Sequence, residues 1–134
     1  MSLFSALDIS GSGINASQTW INTTAGNIAN ANDTVSTNSP VYATQTPFFQ
    51  AIGQLGQVGD GVAVTSVQLG SSAGVVQYQP NSPLADSQGN VRVANVDMGS
   101  QMVDLITAQT DYQANASALA SAKTAYQSAL TIGS

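Results

Sequence analysis

Four residues spaced by seven, Leu105, Tyr112, Leu119 and Tyr126, constrain this chain more than any other feature. Met102, Ala116 and Leu130 form a second line three residues out of step with the first. Two apolar lines at that offset make a seam along one face of an α-helix. No Pro follows Pro83, and no Gly lies between Gly99 and Gly133. Nothing therefore interrupts roughly 34 residues, or about 50 Å of helix at about 1.5 Å per residue. A helix of that length with one apolar seam must bury it against a partner.

The other end of the chain offers one. Leu7, Ile14, Ile21 and Ile28 repeat with the same period, with Phe4 and Ala25 beside them. Two seams of equal period at opposite ends are natural coiled-coil partners. The spacing predicts an N-terminal helical segment over 1–32 and a C-terminal one over 98–134. Intrinsic propensity in the first is weak, because Gly11, Gly13 and Gly26 each cost about 1 kcal/mol relative to Ala. Ser, Thr and Asn also compete locally for backbone hydrogen bonds. Both ends are thus expected to order only when the seam is buried, which circular dichroism of dilute monomer would test. The small residues Gly11, Gly13, Ala16, Ser17 and Ala25 would let another helix approach closely. Trp20 and Tyr126 are expected to pack between the helices.

Between the helices, 33–97 reads as a small β-rich middle domain. The stretch 33–47 is loop-like, broken by Pro40 and Pro47. A first strand is expected over Val41 to Phe49, weakened by Pro47, and a glycine-rich turn over 53–61. GVAVTSVQL (61–69) is the clearest strand. Val62 and Val64 share one face and Val67 and Leu69 the other, which predicts a bulge or crossing between them. Gly74 opens a short strand to Tyr78, 80–90 forms a long turn, and Val91 and Val93 alternate in a last strand. Asn95 and Asp97 are candidate caps for the C-terminal helix. The fold class is α+β, with long terminal helices paired as a coiled coil around that small middle domain.

Composition narrows the function. Only Arg92 and Lys123 are basic against seven aspartates, giving a net charge of -5, and charged residues make up 7% of the chain. Such a chain lacks the basic stripe that nucleic acid requires. So few charges are poor at keeping copies apart, which suits a surface covered by other subunits as well as it suits a low-charge organism. With no Cys and no His, thiol chemistry and the commonest general base are excluded. No catalytic constellation stands out, and neither cofactor nor metal is expected. Asp104 and Asp111 share a helix face as solvated acids, or as ion-pair sites for a neighbouring subunit. Gly11-Ser12-Gly13 lacks the strand, third Gly and Lys of a phosphate loop. Asp60-Gly61 and Asp86 read as turn chemistry, since no EF-hand spacing surrounds them. Residues 9–32 carry no charge, but amides run through them, so no membrane span is expected. The first ten residues lack a basic, long-apolar secretory leader. An assembling structural protein and a binding module on a helical stalk both remain open. The second would fold stably as a monomer and keep its function after losing one terminal helix.

Three motifs discriminate. NIANAN (Asn27, Ile28, Ala29, Asn30, Ala31, Asn32) resembles the N-terminal signature of bacterial flagellar axial proteins, the rod, hook and hook-associated subunits. Residues 75–97, with Pro80, Pro83, Ala85, Asp86 and Gly89, are similar to the Pro-x-Ala-Asp-x-x-Gly turn of the proximal rod proteins. Residues 102–133 resemble that family's C-terminal helix, with Tyr112, Gln113, Ala114 and Asn115 as its Tyr-Gln-Ala-Asn and a Leu-x-Ile-Gly end. The resemblance runs nearly end to end. It implies a structural subunit of the proximal rod whose helices pair in an inner domain lining a narrow channel, with no cofactor. It also implies transit, unfolded, through the flagellar type III export apparatus without a cleavable signal, and assembly in the periplasm. Implied partners are copies of the chain, other proximal and distal rod proteins and the junction protein at the rod base, with contact to the membrane-embedded ring left open. Two departures stand out. DTVSTNSPVYATQ replaces the usual Thr-Pro-Gly-Tyr, with Tyr42 as the equivalent aromatic. Gln109, Thr110 and Asp111 replace basic residues before the Tyr-Gln-Ala-Asn motif.

Overall fold

A computed structural model describes residues 3–53 and 59–132. The chain runs α1 (Leu3–Ala29), β1 (Thr34–Val35), β2 (Gln45–Ile52), β3 (Gly61–Leu69), β4 (Val75–Tyr78), β5 (Asn90–Val93) and α2 (Met98–Ile132). The arrangement is α+β, two long helices around a small middle of antiparallel sheets. Part of the glycine-rich turn expected over 53–61, and Gly133 of the Leu-x-Ile-Gly end, lie outside the described residues.

The helices are antiparallel. Phe4, near the start of α1, meets Tyr126, near the end of α2, edge to face at 5.4 Å between ring centroids. Gly13 lies against the Asn115 side chain. At the other end the Asn27 amide reaches Gln101 at 2.7 Å. The step of fourteen from 13 to 27 is thus matched by the step of fourteen from 101 to 115, a constant register along both helices. The same step places Trp20 at the level of Ala108, which is fully buried.

The period expected of the seam is present, but its phase is not. The buried positions of α1 are Ser10, Gly13, Ala16, Ser17, Thr23, Thr24 and Asn27. Ser10, Ser17 and Thr24 lie seven apart, as do Gly13 and the level of Trp20 and Asn27. The Leu7, Ile14, Ile21, Ile28 line falls on the flank of that face and is half-buried. On α2 the central line runs Gln101, Ala108, Asn115, Ala122, while Leu105, Tyr112, Leu119 and Ala116 flank it, half-buried. Met102 and Leu130 do not join the intrachain seam: they are 51% and 56% exposed, and the register carries Leu130 past the level at which α1 begins. Tyr126 meets α1 through its edge-to-face contact with Phe4. The physical cause is close approach. Where two backbones come nearest, only Gly, Ala, Ser and Thr fit, and larger side chains splay to the sides.

The middle comprises two sheets. β2 and β3 form a two-stranded hairpin, and β1, β5 and β4 a three-stranded sheet in that order. β2 begins and ends later than the expected 41–49, and β1 was not expected at all. Pro47 is tolerated inside β2 because a two-stranded sheet leaves one edge open, where a missing N–H costs nothing. Phe48 pairs with Ser66 and Phe49 with Val64, so Thr65 is the extra residue of a bulge, and its hydroxyl donates to the Phe48 carbonyl at 3.2 Å. This is the phase change expected between Val64 and Val67. Val62 and Val64 are half-buried, whereas Val67 and Leu69 are 41% and 68% exposed. The hairpin docks on α1: the Ser12 hydroxyl accepts the Val62 N–H at 3.0 Å, and Phe49 packs on Trp20 at 5.9 Å between centroids. Trp20 therefore packs on the hairpin, not against Tyr126.

Candidate functional site

NIANAN ends α1 and ties the fold together. Asn27 is 2% exposed and uses every hydrogen-bonding position of its amide. Its Nδ2 donates to the Gln45 carbonyl at 2.9 Å and to Gln101 Oε1 at 2.7 Å. Its Oδ1 accepts the Tyr42 hydroxyl at 2.9 Å and the Gln45 N–H at 2.8 Å. One side chain on α1 thereby joins β2, the preceding loop and α2. An amide suits the place because it has two donors and two acceptor lone pairs, and all four are matched. Burial pushes the Tyr42 hydroxyl above its ordinary value, with the Gln45 side chain acting against it.

The rest of the motif stops the helix. Asn30 Nδ2 donates to the Gly26 carbonyl at 2.8 Å, and the Asn30 and Ala31 N–H groups close the last turn on Gly26 and Ile28. Asn32 accepts the Thr34 hydroxyl at 3.1 Å. Asp33 follows and holds the loop, its Oδ2 accepting the Tyr42 N–H at 2.9 Å and its carbonyl the Ala94 N–H at 2.9 Å. Ile28 is half-buried and Ala29 exposed. Tyr42 is thus the aromatic that meets the motif.

The turn with Pro80, Pro83, Ala85, Asp86 and Gly89 is built on Asp86. Its Oδ1 accepts the Gln88 and Asn90 N–H groups, each at 2.9 Å, and its Oδ2 accepts the Thr37 hydroxyl at 3.2 Å. The Asn90 N–H, first among these, holds the carboxyl below its ordinary range. Gly89 has φ +81°, and a Cβ there would stand 2.7 Å from the Tyr78 ring. Both prolines are exposed. At the start of α2, Asp97 rather than Asn95 is the cap. It accepts the Gly99 N–H at 3.0 Å and the Ser100 hydroxyl at 2.6 Å, and the latter leads in lowering its pKa.

In the Tyr-Gln-Ala-Asn segment, Tyr112 and Asn115 face the helix pair while Gln113 and Ala114 are exposed. Gly13, Ala16 and Ser17 are buried as close-approach residues, but Ala25 is exposed, and Gly11 has nothing near its Cβ position. Sequence reasoning missed Gln101, Ala108 and Asp33. Only their fixed distance from the motifs could have drawn attention to them. The outer face of α2 carries Met102, Val103 and Ile106, 51%, 64% and 65% exposed. Among the described residues no group of acids, His or Cys could hold a metal ion, and no helix is long and apolar enough to cross a membrane.

This geometry is that of a cross-braced helix pair with an apolar outer face. Residues 87–132 match the family model for the C-terminal part of flagellar basal body rod FlgEFG proteins. The chain is 36% identical over 133 residues to the flagellar basal-body rod protein FlgC of Yersinia enterocolitica, covering 99% of each. Similarity to the FlgC of Salmonella typhimurium is 35% over 133 residues, again 99% of each. To that of Aquifex aeolicus it is 35% over 128 residues, 95% of this chain and 94% of the relative.

Proposed function

The chain belongs to the FlgC family of flagellar basal-body rod proteins and is a structural subunit of that rod, and on this premise we propose that it assembles through its paired terminal helices into the wall of the proximal rod and its export channel. The observation that carries the reading is the outer face of α2. Met102, Val103 and Ile106 are large, apolar and uncovered within the chain, and contiguous apolar surface of this kind marks an interaction site. The role is structural rather than catalytic. Segments 1–32 and 98–134 act as the inner, assembling unit and 33–97 as the outer one. Neighbours are further copies, the other proximal and distal rod proteins and the junction protein at the rod base. The chain travels unfolded through the flagellar export apparatus and assembles in the periplasm.

Ile106→Asp separates assembly from folding. Ile106 is 65% exposed, so a charge there costs the monomer little, yet it would be buried and unpaired in a packed rod. A strain carrying only this variant is expected to make normal levels of protein and no rod beyond the ring. Full motility in that strain would overturn the proposed mode of assembly.

A further inference from the structure

Between α1, the β2–β3 hairpin and α2 lies an open cleft of about 190 Å³. Its walls are Ala16, Trp20, Phe49 and Val62, mostly apolar, with Asn115 and Asp111 on the α2 side. Among the described residues the Asp111 carboxylate accepts no hydrogen bond and meets no cation. Neither of the two basic side chains supplies one. Arg92 donates to the Ser39 carbonyl at 3.0 Å in the other sheet. Lys123 sits twelve residues further along α2, about 18 Å away at about 1.5 Å per residue.

An acid at the lip of an aromatic-walled cleft selects its occupant by charge. An aliphatic knob would cover Asp111 and leave it desolvated without a partner. A basic side chain satisfies both parts, laying its stem on the apolar walls and its charge against the carboxylate. A guanidinium suits this cleft better than an ammonium, because its plane stacks on an aromatic face while its N–H fork meets a carboxylate. We propose that this cleft receives one arginine side chain presented by an adjoining subunit. The proposal rests on the reading of the chain as a packed rod subunit, and extends it by naming the chemistry of one contact.

Trp20 is the only tryptophan in the chain, so its fluorescence reports the cleft directly. The purified full chain is titrated with n-butylguanidinium and, separately, with its neutral isostere n-butylurea. The cation is expected to bind about five- to tenfold more tightly, the size supported by one partly exposed ion pair and one ring contact. In Asp111→Asn that preference falls to about one, while in Asp104→Asn, whose carboxylate does not line the cleft, it persists. Absence of a preference in the wild-type chain, or a preference that survives Asp111→Asn, overturns the proposal. So does its loss in Asp104→Asn, which would indicate general charge attraction. The titration needs no assembly. A failure here leaves the rod reading intact, whereas a strain that lacks the chain and still completes its rod would remove that reading without touching the cleft chemistry.

Discussion

Replacing Asn27 by Ala removes four hydrogen bonds at once and leaves their partners facing a void. Each intramolecular bond contributes about 1 kcal/mol net, and a buried group left unpaired costs about 1–3 kcal/mol. Gln45 and Tyr42 are only half-buried, so water reaches part of the released set and the sum falls short of the extreme. A loss of about 3 kcal/mol is expected, a large share of the roughly 5–15 kcal/mol of a small domain. Urea unfolding of the purified chain, followed by circular dichroism, would show it. At a slope near 1.5 kcal/mol per molar, the midpoint drops by about 2 M. Tyr42→Phe and Gln101→Ala each remove one bond and should cost about 1 kcal/mol. Asn27→Asp keeps both acceptors but turns a carboxylate toward the Gln45 carbonyl and Gln101 Oε1, which raises that carboxyl's pKa in the folded state. Its contribution is therefore favourable below the ordinary carboxylate range and lost as pH rises, so its deficit against wild type grows from pH 3 to pH 7. A loss below about 1 kcal/mol for Asn27→Ala, or one no larger than that of Gln101→Ala, would refute the cross-brace reasoning.

Two glycine substitutions should move stability in opposite directions. Gly11 is helical with nothing near its Cβ position, so Gly11→Ala should raise the unfolding free energy by about 0.5–1 kcal/mol. Gly74 has φ +57°, and a Cβ there would collide with the Val93 carbonyl and Val41, so Gly74→Ala should lower it by about 2 kcal/mol or more. Asp86 and Asp97 both have lowered carboxyl pKa values, through the Asn90 N–H and the Ser100 hydroxyl respectively. Their stabilisation is present above the ordinary value of 3.8 and lost as pH falls through the depressed folded values. Asp97→Asn should therefore flatten the acid limb of stability against pH below about 4, and an unchanged limb would remove Asp97 from the account. Leu119→Asp places an unpaired charge on the half-buried flank of the helix pair and should cost several kcal/mol, abolishing motility when it is the only copy. Motile cells would show that this flank is not packed in the rod.

Much of this architecture was legible because periodicity depends on spacing alone. Both helices, the antiparallel middle, the bulge near Thr65 and the Asp97 cap all leave short-range traces. β1 left none, since two residues have no period. Asn27 stood out as part of a motif, but its chemistry was hidden. Its partners Tyr42, Gln45 and Gln101 are 15, 18 and 74 residues away, and nothing local pairs them. Asp86 was legible as a turn residue because most of its partners lie within four positions.

A search for apolar lines finds the largest side chains, and in this helix pair those are not the most buried. Ser10, Ser17, Thr24 and Ala108 occupy the line of closest approach because their small volume permits it, and the Ile and Leu lines close over it from the side. A flank is open to two kinds of neighbour, the partner helix and whatever packs against the pair. Residues assigned to an internal seam by period alone can therefore serve an external one. Met102 is the clear case. It falls on the same apolar line of α2 as Ala116, yet it is exposed beside Val103 and Ile106 while Ala116 is half-buried. In a chain with two cations and seven acids, such a surface has little charge with which to repel another protein. The sequence period thus describes the total apolar surface of the helix, the part covered within the chain and the part left exposed together. The hydrogen-bonded register decides how that surface is divided.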